Sequence, residues 1–114
     1  MVIRKHFAEV ELEKVDMEGA TGTSIRWLIA KKDGAENFAM RMFELEKDAH
    51  TPEHVHEWEH EVFVLEGSGV LATEDGDFSL NPNDFAFVPD MRLHQFRNTG
   101  DGVFKFLCVV PIKE

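Results

Sequence analysis

The sequence has a single cysteine, Cys108, so no disulfide can form within the chain, and a lone thiol suits a reducing compartment. Long apolar runs are missing too. No stretch approaches the ~20 residues that a membrane helix needs. The opening residues, MVIRKHFAEVELEK, lack even the apolar core of a signal peptide. Together these absences set the expectation of a soluble cytoplasmic protein. Basic residues are few, with 12 Lys and Arg against 22 Asp and Glu and a formal charge of −10. That balance lacks the basic footprint that nucleic acid requires and is repelled by anionic membranes, so neither partner is expected. No segment is of low complexity, and no unit of about 20–50 residues repeats. No window keeps a helical period over about ten residues, which argues against a helical architecture.

What remains is a chain of one domain's length, 114 residues, of which 43% are hydrophobic. A chain of this size buries roughly two-thirds of its extended surface and needs no covalent staple. Its apolar runs are short and separated by turn signals. SIRWLIA (24–30) turns at Asp33-Gly34, and FAMRMFEL (38–45) leads to a break at DAHTPE, where Pro52 cannot join a central ladder. GVLATED turns at Asp75-Gly76 into DFSL, NPND opens DFAFVP, and MRLHQFRN and VFKFLCVVP close the chain. Such Asp-Gly and Asn-rich pairs tolerate positive φ and are hairpin chemistry. About nine or ten short strands at this spacing predict an all-β sandwich or barrel, with the ten phenylalanines supplying most of its core.

The stretch HVHEWEHEVFVLEGSG places three histidines within seven positions and then enters an apolar strand. On a strand His54 and His56 project from one face with Cα atoms roughly 6–7 Å apart. Two imidazoles so placed can converge on one metal at about 2.0–2.2 Å. His60 shares their parity, but on a straight strand it would lie about 13 Å beyond His56. It reaches the same ion only if the chain turns around Glu57-Trp58-Glu59 and His60 opens the next strand. That strand, HEVFVLE, is apolar on both faces, as a buried sandwich strand would be. His94, in RLHQF after the turn at Val88-Pro89-Asp90, is the candidate fourth ligand and shares a face with Phe96. His6 and His50 stand alone, and isolated histidines are usually satisfied core or surface residues, so neither is expected to be a ligand. Three clustered rings have no comparable bland explanation, because each buried imidazole needs a partner.

These residues resemble the two sequence motifs of the cupin superfamily. The first, G-x5-H-x-H-x3,4-E-x6-G, is matched by His54, His56 and Gly67, with Asp48 at its first glycine. His60 stands where the family usually has glutamate; Glu61 fits the longer spacer but leaves one residue too few before Gly67. The second, G-x5-P-x-G-x2-H-x3-N, is matched by Pro89, His94 and Asn98, with Asn83 and Met91 at the glycines. With His60 in the glutamate's place, the chain is most similar to small single-domain manganese cupins that hold their metal with four histidines. The resemblance implies a jelly-roll barrel, taken as residues 24–114 with an amino-terminal arm at 1–23. It also implies one divalent metal held by His54, His56, His60 and His94, with two adjacent coordination positions left open. Cupin homodimers are implied as well, often with an amino-terminal strand laid across the partner, and here residues 2–12 would play that part.

Four neutral imidazoles leave a divalent ion its full charge and raise its Lewis acidity relative to a carboxylate-bearing set. All-nitrogen ligation excludes Mg²⁺ and Ca²⁺; Mn²⁺ is the expected ion, with Fe, Co, Ni, Cu and Zn able to compete. In FKFLCVV, Phe104, Phe106, Cys108 and Val110 share one face and Lys105 marks the other as solvent-facing. Cys108 and Phe106 are therefore expected either to line the metal pocket or, for the thiol, to serve as a small buried hydrophobe. Phe96 is the third wall candidate. Arg41 points either inward as an anion partner or outward as a solvated charge. With no evident general base, redox chemistry with O₂ or peroxide on a small organic substrate is the first expectation. The alternatives are a non-catalytic small-molecule-binding or sensing module and a metal-dependent isomerase or lyase.

Overall fold

The computed structural model describes residues 1–112 and has, among them, nine strands and two single 3₁₀ turns. The strands are β1 (Glu13–Lys14), β2 (Thr21–Ile29), β3 (Phe38–His50), β4 (His60–Glu66), β5 (Gly69–Thr73), β6 (Gly76–Leu80), β7 (Phe85–Val88), β8 (His94–Asn98) and β9 (Phe104–Pro111). No helix of the described residues is long and apolar enough to cross a membrane. The strands pair antiparallel in the order β6-β5-β8-β3-β9-β4-β7, with β2 also on β3 and β1 on β2. The result is an all-β, nearly closed barrel of jelly-roll type.

β3 joins the two layers. Its first eight residues pair with β9, from Phe38↔Pro111 to Leu45↔Phe104, whereas its last, His50, pairs with Arg97 of β8. Between them Asp48 takes a left-handed backbone, φ 67°, which bends the strand without ending it. The expected break at DAHTPE falls within that stretch, after His50, and the strand runs five residues beyond Leu45 to reach it. Asn83 (φ 76°) and Met91 (φ 61°) are the other two non-glycine residues with positive φ. These three are the positions at which the cupin motifs carry glycine.

The core follows the two-residue period of the strands. On β9 Phe104, Phe106, Cys108 and Val110 are buried against Leu45, Val62, Val64 and Phe96. The Phe106 ring lies 4.6 Å from Phe96 and 5.1 Å from Phe104. One expectation is corrected here: β4 is apolar on both sides but buried on only one. His60, Val62 and Val64 face inward, whereas Phe63 is 40% exposed beside Phe85, itself 80% exposed. β4 lies next to the terminal strand β7, and among the described residues no further strand covers their outer face.

Asn98, at the end of β8, is buried and ties the layers together. Its Nδ2 donates to the carbonyls of Leu45 (2.9 Å), Glu46 (3.0 Å) and Gly102 (2.8 Å), and its Oδ1 accepts from the Gly100 amide at 2.9 Å. Gly67 takes φ 79° in the turn after β4, where any Cβ would run into the Val103 carbonyl.

The amino-terminal arm, expected to lie across a neighbour, rests in this single chain on the outer face of its own sheet. Arg26 donates to the carbonyl of Val10 at 2.6 Å, and the Phe7 ring sits beneath the cations of Arg26 and Lys105 at 5.2 and 4.7 Å. The arm continues through β1 to Val15–Met17, which lie at the mouth of the barrel's internal cavity.

Candidate metal centre

The loop between β3 and β4 is strapped to β8 by hydrogen bonds at two levels. The Thr51 amide donates to the Phe96 carbonyl and the Phe96 amide donates to Thr51 Oγ1, both at 2.9 Å. Three residues on, His54 and His94 exchange both amide–carbonyl bonds at 2.9 Å as an isolated bridge. His54 and His56 are therefore not on a regular strand, as their spacing had suggested; one bridge fixes the first, and the chain leaves the ladder after it. The bend comes at Glu57-Trp58, so that His60 opens β4. The Met91 amide donates to the His56 carbonyl at 2.6 Å, and the Trp58 ring stacks on the His56 imidazole at 4.6 Å.

These constraints bring four rings together. The centroid distances are 5.0 Å for His56–His60, 4.8 Å for His60–His94 and 5.4 Å for His56–His94. One ligand nitrogen from each of these three lies within 4.8 Å of the others. His54 stands at the rim of the trio, its Nδ1 3.1 Å from His56 Nε2. His6 instead caps the first 3₁₀ turn, and His50 Nδ1 lies near the Thr51 carbonyl at 3.2 Å.

The hydrogen bonding leaves lone pairs facing inward. His94 Nδ1 donates to the Arg92 carbonyl at 2.9 Å, which frees its Nε2. His60 Nδ1 faces Cys108 Sγ at 3.4 Å, and His60 Nε2 is buried with no hydrogen-bond partner. An orphaned buried nitrogen is costly for a protein and is what a cation satisfies. Burial, reinforced by the neighbouring His94 and Arg41 charges, lowers the pKa of His60 to about 3. Burial and the adjacent His54 lower that of His56 to about 4. Burial also lowers that of His54. These rings are neutral at pH 7, the state a metal requires. His56, His60 and His94 can hold a metal ion.

The cluster lies in a cavity of about 450 Å³. Its apolar wall includes Ile25, Trp27, Phe43, Phe96 and Phe106, and Arg41 and Cys108 also face it. Arg41 Nη2 donates to Cys108 Sγ at 3.0 Å, and the guanidinium packs over the rings of Phe43 (5.0 Å) and Trp27 (5.7 Å). Burial pushes the Cys108 thiol pKa up, against the opposing pull of Arg41. Among the described residues, Asp16 is the one carboxylate lining the cavity. The sequence reading missed the β2 wall of Ile25 and Trp27. Thr23, Ile25 and Trp27 alternate on one face, a two-residue signal that was present in the sequence.

Comparison with known proteins agrees with this geometry. The polyketide cyclase RemF from Streptomyces resistomycificus is 37% identical, covering 99% of this chain and 81% of its own, with a TM-score of 0.93. A sugar phosphate isomerase of the cupin superfamily from Silicibacter pomeroyi is 25% identical over 97% of this chain and 76% of its own, TM-score 0.84. A predicted oxalate decarboxylase from Thermotoga maritima is 26% identical over 99% of this chain and all of its own, TM-score 0.83. No curated protein matches. The family model described as "Cupin domain" matches residues 41–110, a span holding all four histidines and both motifs, and the chain belongs to that cupin family.

Proposed function

We propose that the chain is a metal-dependent enzyme that closes a ring in a small, enolisable polycarbonyl compound by aldol-type carbon–carbon bond formation with loss of water. The observation that carries this reading is the cluster of neutral imidazoles set in an aromatic-walled cavity with, among the described residues, a single carboxylate, Asp16. The similarity to a protein described as a polyketide cyclase, over nearly the whole chain, supports it. His54 completes the ligand set of His56, His60 and His94. Two donors bound side by side to one ion at about 2.1 Å stand about 3 Å apart, and His54 Nδ1 and His56 Nε2 are separated by 3.1 Å. A divalent ion held by these histidines would supply Lewis acidity, lowering the pKa of the carbon beside a substrate carbonyl. Of the chain's own residues, Asp16, the one carboxylate lining the cavity among the described residues, would take the proton from that carbon and return it to the hydroxyl that leaves as water. Phe96, Phe106 and Trp27 exclude water and stack against a planar, unsaturated substrate, while the Cys108 sulfur orients His60 through Nδ1. We infer Mn²⁺ as the resident ion on the four-histidine pattern, with Fe, Co, Ni, Cu and Zn as competitors. A homodimer and a cytoplasmic location belong to the same reading.

The test is incubation of the metal-loaded protein with a linear triketone, following loss of one water by mass spectrometry and the rise of aromatic absorbance. Ring closure that disappears in His60→Ala, along with bound metal, supports the reading. Full metal occupancy in His60→Ala, with loss in Glu61→Ala, overturns the four-histidine set. A second reading, an oxidoreductase using O₂ or peroxide, is favoured by the apolar wall of Phe96, Phe106 and Cys108 and by the lack, among the described residues, of a general base beside the cluster. Oxygen uptake on phenols or alkenes without ring closure selects it.

A further inference from the structure

Arg41 is the one lysine or arginine lining the cavity among the described residues. Strand parity puts it on the inner side of β3 with Phe43 and Leu45, where β9 brings Cys108 directly opposite. No ion pair joins it to any carboxylate of the described residues. Of its five N–H donors one has a protein acceptor, the Cys108 sulfur, and Nε is buried with none. The faces of Trp27 and Phe43 hold the guanidinium plane in place without neutralising it. A half-buried cation with no counter-charge beside it is a cost to the fold. The neutral histidines offer no compensation, and the Arg41 charge is felt at three of them as a repulsion of protons. The missing counter-charge is the feature a ligand can bring.

We propose that Arg41 is a specificity-determining residue that binds the carboxylate of an otherwise apolar, planar ligand lying between it and the histidine cluster. The inference rests on the small-molecule reading above and names the substrate class of that same site. Two parallel N–H···O bonds from a planar guanidinium match a carboxylate in plane and spacing, which a lysine ammonium cannot do. The aromatic wall sets the character of the remainder: flat, unsaturated and uncharged. Acids of this kind are favoured over their esters or amides, because a neutral carbonyl leaves the cation of Arg41 uncompensated.

The experiment is calorimetric titration of 1-naphthoate and of its neutral analogue 1-naphthamide into the full chain, metal-loaded and metal-free. It is done with wild type, Arg41→Lys and Arg41→Gln. Wild type binds the carboxylate at least about tenfold more tightly than the amide in both metal states. Arg41→Gln loses that preference while keeping its metal content, and Arg41→Lys keeps part of it. Equal affinities in wild type overturn the proposal, as does a preference that persists in Arg41→Gln, since the anion is then read by the metal. Should Arg41→Gln fail to fold, metal-free wild type decides, with a tenfold preference supporting the proposal and none refuting it. Binding and ring closure are separate readouts, so absence of cyclisation leaves this result standing, and absence of the acid preference leaves cyclisation standing.

Discussion

Replacing Asn98 by alanine removes the side chain that ties β8 to β3 and to the turn before β9. Three carbonyls (Leu45, Glu46 and Gly102) and one amide (Gly100) lose their partner together. The Nδ2 group has two protons for its three acceptors, so about three net bonds are lost rather than four. Asn98 is only 4% exposed, and water reaches these groups poorly in its place. At about 1 kcal/mol for each net bond, plus the penalty of leaving a buried carbonyl dry, Asn98→Ala loses about 3–4 kcal/mol. For a chain of this size that lowers Tm by roughly 12–16 °C. Asn98→Asp is the sharper test. It keeps the oxygen that accepts from Gly100 but turns a second, charged oxygen towards three carbonyl oxygens, so at pH 7 it is at least as destabilising as alanine despite its closer shape. Urea titration of metal-free protein followed by tryptophan fluorescence gives the free energies. A loss below about 1 kcal/mol in Asn98→Ala, or wild-type stability in Asn98→Asp, refutes the reasoning.

Acid weakens the metal-free fold through the histidine cluster. The folded-state pKa values are about 3 for His60 and about 4 for His56, against 6.5 in the unfolded chain, so the unfolded chain takes up protons first. Their contribution to stability is intact above pH 6.5 and fades as the pH falls towards 4, by at most about 1.4 kcal/mol per pH unit for each ring and less for half-buried His56. Urea midpoints at pH 7.5 and 4.5 check this, and a His60→Leu variant that falls as steeply as wild type contradicts it. Met91→Gly removes the left-handed strain of a side chain that is 58% exposed and raises stability by about 0.5–1 kcal/mol, after allowance for the greater freedom of glycine when unfolded. Asn83→Gly is close to neutral, because asparagine tolerates that conformation; a loss in the Met91 variant argues against strain there. For the proposed homodimer, deleting residues 1–14 lowers Tm and the dimer fraction; light scattering that finds an unaltered dimer, or a monomer in the intact protein, counts against the arm as a bridging strand.

The barrel was legible because its strands alternate and its turns carry Asp-Gly and Asn-rich pairs. The trio of His56, His60 and His94 was legible because HxH followed by a bend leaves few other uses for three imidazoles. The misreadings arise where identity and conformation part company. Asp48, Asn83 and Met91 stand at motif glycines and look like departures, yet each keeps the left-handed backbone. The motif thus records a requirement on φ, and the sequence shows only who meets it. β4 misled because an apolar residue pattern states affinity for a partner and not its presence; Phe63 and Phe85 face outward at the end of the sheet order. Arg41 was left between two orientations, although its parity with Phe43 and Leu45 already placed it on the inner face. His54 was assigned to a strand because spacing cannot distinguish a single bridge from a ladder.

Val15, Asp16 and Met17 close over the cavity mouth on slender support. β1 has two residues, the Val15 amide donates to the Thr23 carbonyl at 2.9 Å, and the Ala20 amide closes a turn on Met17 at 3.0 Å. Detaching this strap breaks a few backbone bonds and leaves the aromatic core untouched, so it is expected to open at a fraction of the free energy of global unfolding. The expected way in through the mouth is therefore detachment of the amino-terminal strap, with no breathing of the barrel required. Residence times of bound molecules and amide exchange at Val15 share one opening equilibrium, and a substitution at Thr23 or Met17 shifts both together while the depths of the pocket stay as they are.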